Sequence, residues 1–129
     1  MMNRVIIMEK YLEVMRQSIE LSNTIIVGYE QIQRFIEEGQ FEEAILLYSD
    51  TINGIYSIEN AVKPVLQELK IKEVPVLITA VVDSLDFIAY AFEERDYHKA
   101  QKALYVKLVP QYKQLKEKLE KAFNPYLVS

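Results

Sequence analysis

Four features of this 129-residue sequence carry side chains able to do more than build a core. These are a lone histidine, two aspartates three positions apart, a glutamate set inside an apolar stripe, and a lysine-rich closing segment. His98 is the only histidine, and cysteine is absent. A di-iron bundle site needs paired Glu-x-x-His motifs with further carboxylates. Arg95 stands three residues before His98, and no second histidine exists to complete a pair or a three-histidine site. An Arg-x4-His helical ribonuclease signature fails as well, because Glu93 occupies the arginine position. His98 therefore reads as an exposed residue in the first turn of a helix.

Asp83 and Asp86, with Glu93 beyond them, share one strip of a helix. Two carboxylates at i and i+3 suit a hard cation only with oxygen ligands from a second helix, and no acid-rich partner segment stands out. The strip reads as the solvated edge of a buried helix. Glu59 is less ordinary, since it falls between Ile55 and Val62 in an otherwise apolar stripe. A buried carboxylate must be paired or neutralised, so the sequence predicts that Glu59 is buried and paired across the bundle. The alternative is local exposure from a kink near Pro64. Lys99, Lys102 and Lys113 lie on the outer side of the last helical segment, as a solvated face or as a surface for an acidic partner. No Gly-rich phosphate loop, serine–histidine–acid arrangement or other catalytic motif is present. The sequence accordingly implies a non-enzyme without a cofactor or metal.

Helices must position these residues. Three glycines and four prolines are too few for a fold of many short strands, which needs a turn about every 8–12 residues. Apolar residues recur at three- and four-residue steps throughout. Met8, Leu12, Met15, Ile19, Ile26, Tyr29 and Ile36 mark helix 1, near 4–38, with Ser22 and Asn23 interrupting the face. Gly28 should weaken that helix by about 1 kcal/mol. Helix 2, near 41–69, carries Phe41, Ile45, Tyr48, Ile52, Ile55, Val62, Leu66 and Leu69, and Pro64 should kink or restart it. Helix 3, near 75–94, opens on Pro75 and is apolar around most of its girth, through Leu77, Ile78, Val81, Val82, Leu85, Phe87, Ile88, Ala91 and Phe92. Helix 4, near 97–122, points Tyr97, Leu104, Leu108, Tyr112, Leu115, Leu119 and Ala122 inward, with Pro110 on its outer side. The expected fold is one all-α domain over 1–129, an antiparallel four-helix bundle built from two long helical hairpins.

The two hairpin turns are alike. Glu37-Glu38-Gly39-Gln40-Phe41-Glu42-Glu43-Ala44 parallels Glu93-Glu94-Arg95-Asp96-Tyr97-His98-Lys99-Ala100, either by internal duplication or by chance similarity between two short helical turns. The Gly-x-aromatic-x-x-Ala pattern, with Tyr48 and Leu104 at the next packing position, resembles the turn of a tetratricopeptide hairpin. The likeness spans about ten residues per copy. The helices are also too long for a 34-residue repeat, so no repeat array is expected.

Residues 1–96 carry 8 basic and 17 acidic side chains, and residues 97–129 carry 7 and 2. The net charge of −4 argues against nucleic-acid binding, which needs excess Lys and Arg. Asp83 and Asp86 break the apolar run that a membrane span of about 20 residues would require. With no cysteine, a cytoplasmic location is expected. Helix 3 offers more apolar surface than a monomeric bundle needs, which predicts a homodimer or a protein partner. The long first helix, the Gly39-Gln40-Phe41 turn and a second helix bearing Ala44 and Tyr48 resemble small flagellar and secretion chaperones and bacterial helical-bundle proteins without an assigned activity. That resemblance implies an adaptor or chaperone-like role for another protein's helix. The rival reading is a small-molecule- or metal-binding bundle using Glu59 or the Asp83/Asp86 strip.

Overall fold

The computed structural model describes the backbone of residues 2–127 and the side chains of residues 8–127. Four long helices run up and down: α1 (Met2–Glu37), α2 (Phe41–Glu68), α3 (Glu73–Glu93) and a fourth helix. The fourth consists of α4 (Tyr97–Ala103), a π-helical turn (Leu104–Leu108) and α5 (Val109–Leu127). No strand occurs among the described residues. The chain is an all-α helical bundle, as its periodicity implies. α1 packs most extensively along α2, and α5 lies against both α1 and α3. The α2–α3 seam is the looser one.

Three turns of one design join the helices. At the end of α1, the Gln40 N–H donates to the Phe35 carbonyl (2.8 Å) and the Gly39 N–H to that of Ile36 (3.1 Å). These are the paired bonds of a Schellman motif, with Gly39 in the left-handed region at φ 75°. The same pair recurs after α2, from Ile71 to Leu66 (2.9 Å) and Lys70 to Gln67 (3.2 Å). It recurs after α3, from Asp96 to Ala91 (2.9 Å) and Arg95 to Phe92 (3.0 Å). Lys70 (φ 57°) and Arg95 (φ 59°) hold the position that Gly39 holds in the first turn. Side chains with a Cβ tolerate it poorly.

The likeness between the first and third turns extends into packing. Ala44 and Ala100 are fully buried, and Tyr48 and Leu104 follow them into the core. Phe41 and Tyr97 stack face to face, with centroids 3.9 Å apart and planes 3° from parallel. Both turns therefore sit side by side at one end of the bundle.

The core stripes are rotated from those read off the sequence. α1 buries Met15, Ser18, Ser22, Ile25, Tyr29, Ile32 and Ile36, whereas Leu12, Ile19 and Ile26 lie only half inside. Ser22 continues the face instead of interrupting it, because its hydroxyl donates to the Ile19 carbonyl (2.7 Å) and needs no water. α2 buries Ala44, Tyr48, Thr51, Ile55, Ile58, Val62, Val65 and Leu66. It passes Pro64 without a break. Pro64 and Asn60, whose carbonyl loses its helical partner to the proline, are both exposed, so water can satisfy that oxygen. The fourth helix runs to Leu127, past the expected end at 122, and buries Phe123.

Pro110 does lie outside. Its missing donor and bulky ring disturb the preceding turn, and the chain answers by widening. The Val109 N–H reaches back five residues to the Leu104 carbonyl. The wide turn keeps Leu104, Leu108 and Tyr112 on the core side.

Candidate functional site

Each residue singled out in the sequence has a definite place. Asp83, Asp86, Glu93 and His98 are exposed. Among the described residues, no three of His, Cys, Asp and Glu come close enough to hold a metal ion. The ion pairs among those residues are Lys116–Glu120 and Lys118–Glu73, the latter at 3.6 Å. Asp83, Asp86, Lys99, Lys102 and Lys113 join neither pair.

Glu59 is not buried and paired. It is half-buried and forms no ion pair or side-chain hydrogen bond among the described residues. The reason is register: the buried positions of this stretch are Ile55, Ile58 and Val62, which places Glu59 one step around the helix from the core line. There it lines a cleft of about 660 Å³ between α2 and α3. Leu66, Ile71, Pro75 and Ile78 supply apolar walls, and Lys63, Lys70 and Lys72 line it as well. A smaller hollow of about 360 Å³ is lined by Ile26, Lys113, Lys116, Glu117 and Glu120. Its two lysines are balanced by two glutamates, one of them paired with Lys116.

α3 does not bury the whole girth that its composition suggests. Val74, Ile78, Val81, Leu85, Ile88, Ala91 and Phe92 go inside with Ser84. Phe87 (41% exposed) and Tyr90 (56%) face out. The ammonium groups of Lys99 and Lys107 hang over the Phe87 ring, 5.2 and 5.5 Å from its centroid. The outer side of the π-helical turn adds Tyr105 (54% exposed) and Val106 (65%). The neighbouring Glu94 carboxylate raises the Tyr90 hydroxyl above the ordinary phenol range. By length and apolar content alone, α3 is the one helix among the described residues that would reach across a membrane. In the bundle its inner side packs against α2 and the fourth helix.

Three tyrosines that the apolar spacing places on the core stripes form a polar arrangement at the centre. Tyr29, Tyr48 and Tyr112 meet there from α1, α2 and α5, fully or almost fully buried. Tyr112 donates to the Ser22 carbonyl and Tyr48 to the Leu85 carbonyl, each at 2.5 Å. The Tyr29 and Tyr112 rings meet edge to face, 5.1 Å between centroids and 86° between planes. Thr51, beside Tyr29, donates to the Tyr48 carbonyl (2.7 Å), and the Tyr29 hydroxyl closes no hydrogen bond of ordinary geometry. Burial pushes all three phenols well above their usual range, and the proximity of Tyr29 pushes Tyr48 and Tyr112 further. The trio lines neither of the two hollows described above, and its hydroxyls tie the helices together.

The molecule is thus an antiparallel bundle of two similar hairpins whose outward features are an aromatic–lysine face and a cleft with three lysines. The domain of unknown function DUF8042 matches residues 13–118, and the chain belongs to this family. No curated protein and no solved structure matches it.

Proposed function

We propose that the protein is a non-enzymatic interaction module, adaptor- or chaperone-like, that holds an acidic amphipathic helix of a protein partner against the outer face of α3 and the fourth helix. The observation carrying this reading is Phe87: a large aromatic ring left partly wet, with two lysines leaning over it. Interface anchors are typically aromatic side chains in a polar rim. Phe87 offers the ring, while Lys99, Lys102 and Lys107 offer charge that forms no ion pair among the described residues. Tyr90 on the same helix, and Tyr105 and Val106 on the fourth helix, are further exposed apolar side chains. The excess of lysine over acid after residue 96 favours an acidic partner in electrostatic steering. A second copy, through its acidic first 96 residues, is the self-associating version of the same contact. A cytoplasmic setting, consistent with the absence of cysteine, belongs to the proposal.

The test uses a fluorescent synthetic amphipathic helix with a Leu/Phe stripe and glutamates flanking it. Binding should be saturable, should weaken as salt rises, and should fall about tenfold or more with Lys99→Glu/Lys107→Glu or with Phe87→Asp. Sedimentation velocity of the unmodified protein distinguishes the second copy, as a concentration-dependent dimer abolished by the same variants. A protein that stays monomeric and ignores both acidic and basic helices would end this proposal.

A further inference from the structure

The cleft between α2 and α3 carries a separate inference, which does not rest on the interaction face. Between Arg34 and Arg95 the chain has only three basic residues, Lys63, Lys70 and Lys72, and all three line this cleft. The surrounding sequence is strongly acidic, yet only one carboxylate, Glu59, joins them there. Glu73, next to Lys72, instead lies against Lys118 on the fourth helix. The three ammonium groups have no ion-pair partner among the described residues. Their shared company is Leu66, Ile71, Pro75 and Ile78.

The charges are also sorted along the cleft. Lys70 and Lys72 come from the α2–α3 connection. Lys63 lies one to two turns back along α2, and Glu59, Asn60 and Thr79 occupy the end away from the connection. Along α2, Glu59 lies four positions from Lys63, about 6 Å at 1.5 Å per residue, and nine from the helix end that leads to Lys70 and Lys72, about 14 Å. A volume of about 660 Å³ lies within the range of about 300–1,000 Å³ that takes a small organic molecule.

We propose that this cleft binds a small amphiphilic monocarboxylate, with its carboxylate between Lys70 and Lys72 at the connection end and its apolar body over Leu66, Ile71, Pro75 and Ile78. Glu59 sets the specificity. It stands where the tail of such a ligand ends and repels a second carboxylate, so a dicarboxylate of equal length is rejected.

The probe is decanoate, kept below its micelle concentration and titrated into the ¹⁵N-labelled full chain. Saturable shifts should appear at the amides of Ile71, Ile78 and Thr79. Affinity should drop about tenfold or more in Lys63→Gln/Lys70→Gln/Lys72→Gln, and should be unchanged in Lys99→Gln/Lys102→Gln, which leaves the cleft intact. Decanedioate should bind at least about tenfold more weakly than decanoate, and Glu59→Gln should narrow that gap. The lysine substitutions are at exposed positions, and an unchanged spectrum of the free variant confirms its fold. The proposal is overturned by the absence of saturable shifts up to about 1 mM, by equal binding of decyltrimethylammonium, or by an acidic peptide that displaces decanoate from these amides at lower concentration.

Discussion

The rings of Phe41 and Tyr97 lie flat against each other, 3.9 Å between centroids and 3° from parallel. Each is the first residue of its helix, placed after a left-handed turn residue and three positions before a buried alanine. The stack therefore joins equivalent points of the two hairpins and ties the turn end of α1/α2 to that of α3/α4.

Truncating either ring should reveal the tie. Phe41→Ala and Tyr97→Ala each lose packing, and their double-mutant cycle should give a coupling of about 0.5–1.5 kcal/mol, the range for aromatic pairs. Urea unfolding of the four proteins measures it. Additive losses would mean that the two turns are held independently.

The buried tyrosines should respond unequally to loss of the hydroxyl. Tyr48 and Tyr112 donate to main-chain carbonyls on other helices, so Tyr48→Phe and Tyr112→Phe should each cost about 0.5–1.5 kcal/mol. Tyr29 hides a hydroxyl without a partner, so Tyr29→Phe removes a desolvation penalty and should be neutral or stabilising. Equal losses at all three positions would show that Tyr29 is bonded after all.

The same trio sets an alkaline limit. In the unfolded chain a phenol ionises near pH 10, whereas in the fold all three are held protonated to higher pH. Below about pH 10 both states bind the proton and the contribution is complete. Above it the unfolded state sheds protons that the native state keeps, so stability falls as pH rises, by up to about 1.4 kcal/mol per pH unit for each tyrosine. Phenolate absorbance should show these three titrating only as helicity collapses, and each Tyr→Phe change should flatten the decline.

Helix number, hairpin order and the likeness of the two turns were legible because they rest on local rules: spacing of apolar residues, glycine after a helix, and alanine at a close approach. The exact inward face was not legible, since Ser18, Ser22 and Thr51 look polar in the sequence yet lie buried; the Ser22 and Thr51 hydroxyls bond to carbonyls of their own helices, which makes their burial cheap. Glu59 was misplaced for the same reason. A stripe assigned one step off turns a cleft-lining carboxylate into a buried one. The cleft itself could not be read at all, because it arises from how loosely α2 and α3 meet. The clustering of every lysine of that stretch around it was visible only as three letters in a row of acids.

The turn residues make a stability prediction with opposite signs at equivalent positions. Gly39 adopts φ 75° without a Cβ to crowd the carbonyl, and nothing else fills the space beside it. Gly39→Ala should therefore cost about 1 kcal/mol through backbone strain alone. Arg95 already bears that strain at φ 59°, with its side chain exposed. Arg95→Gly should stabilise the protein by about 0.5–1 kcal/mol, the relief of the left-handed penalty less the extra freedom that glycine has when unfolded. Thermal or urea unfolding decides. A destabilised Arg95→Gly would mean that the arginine side chain makes an interaction strong enough to outweigh its backbone.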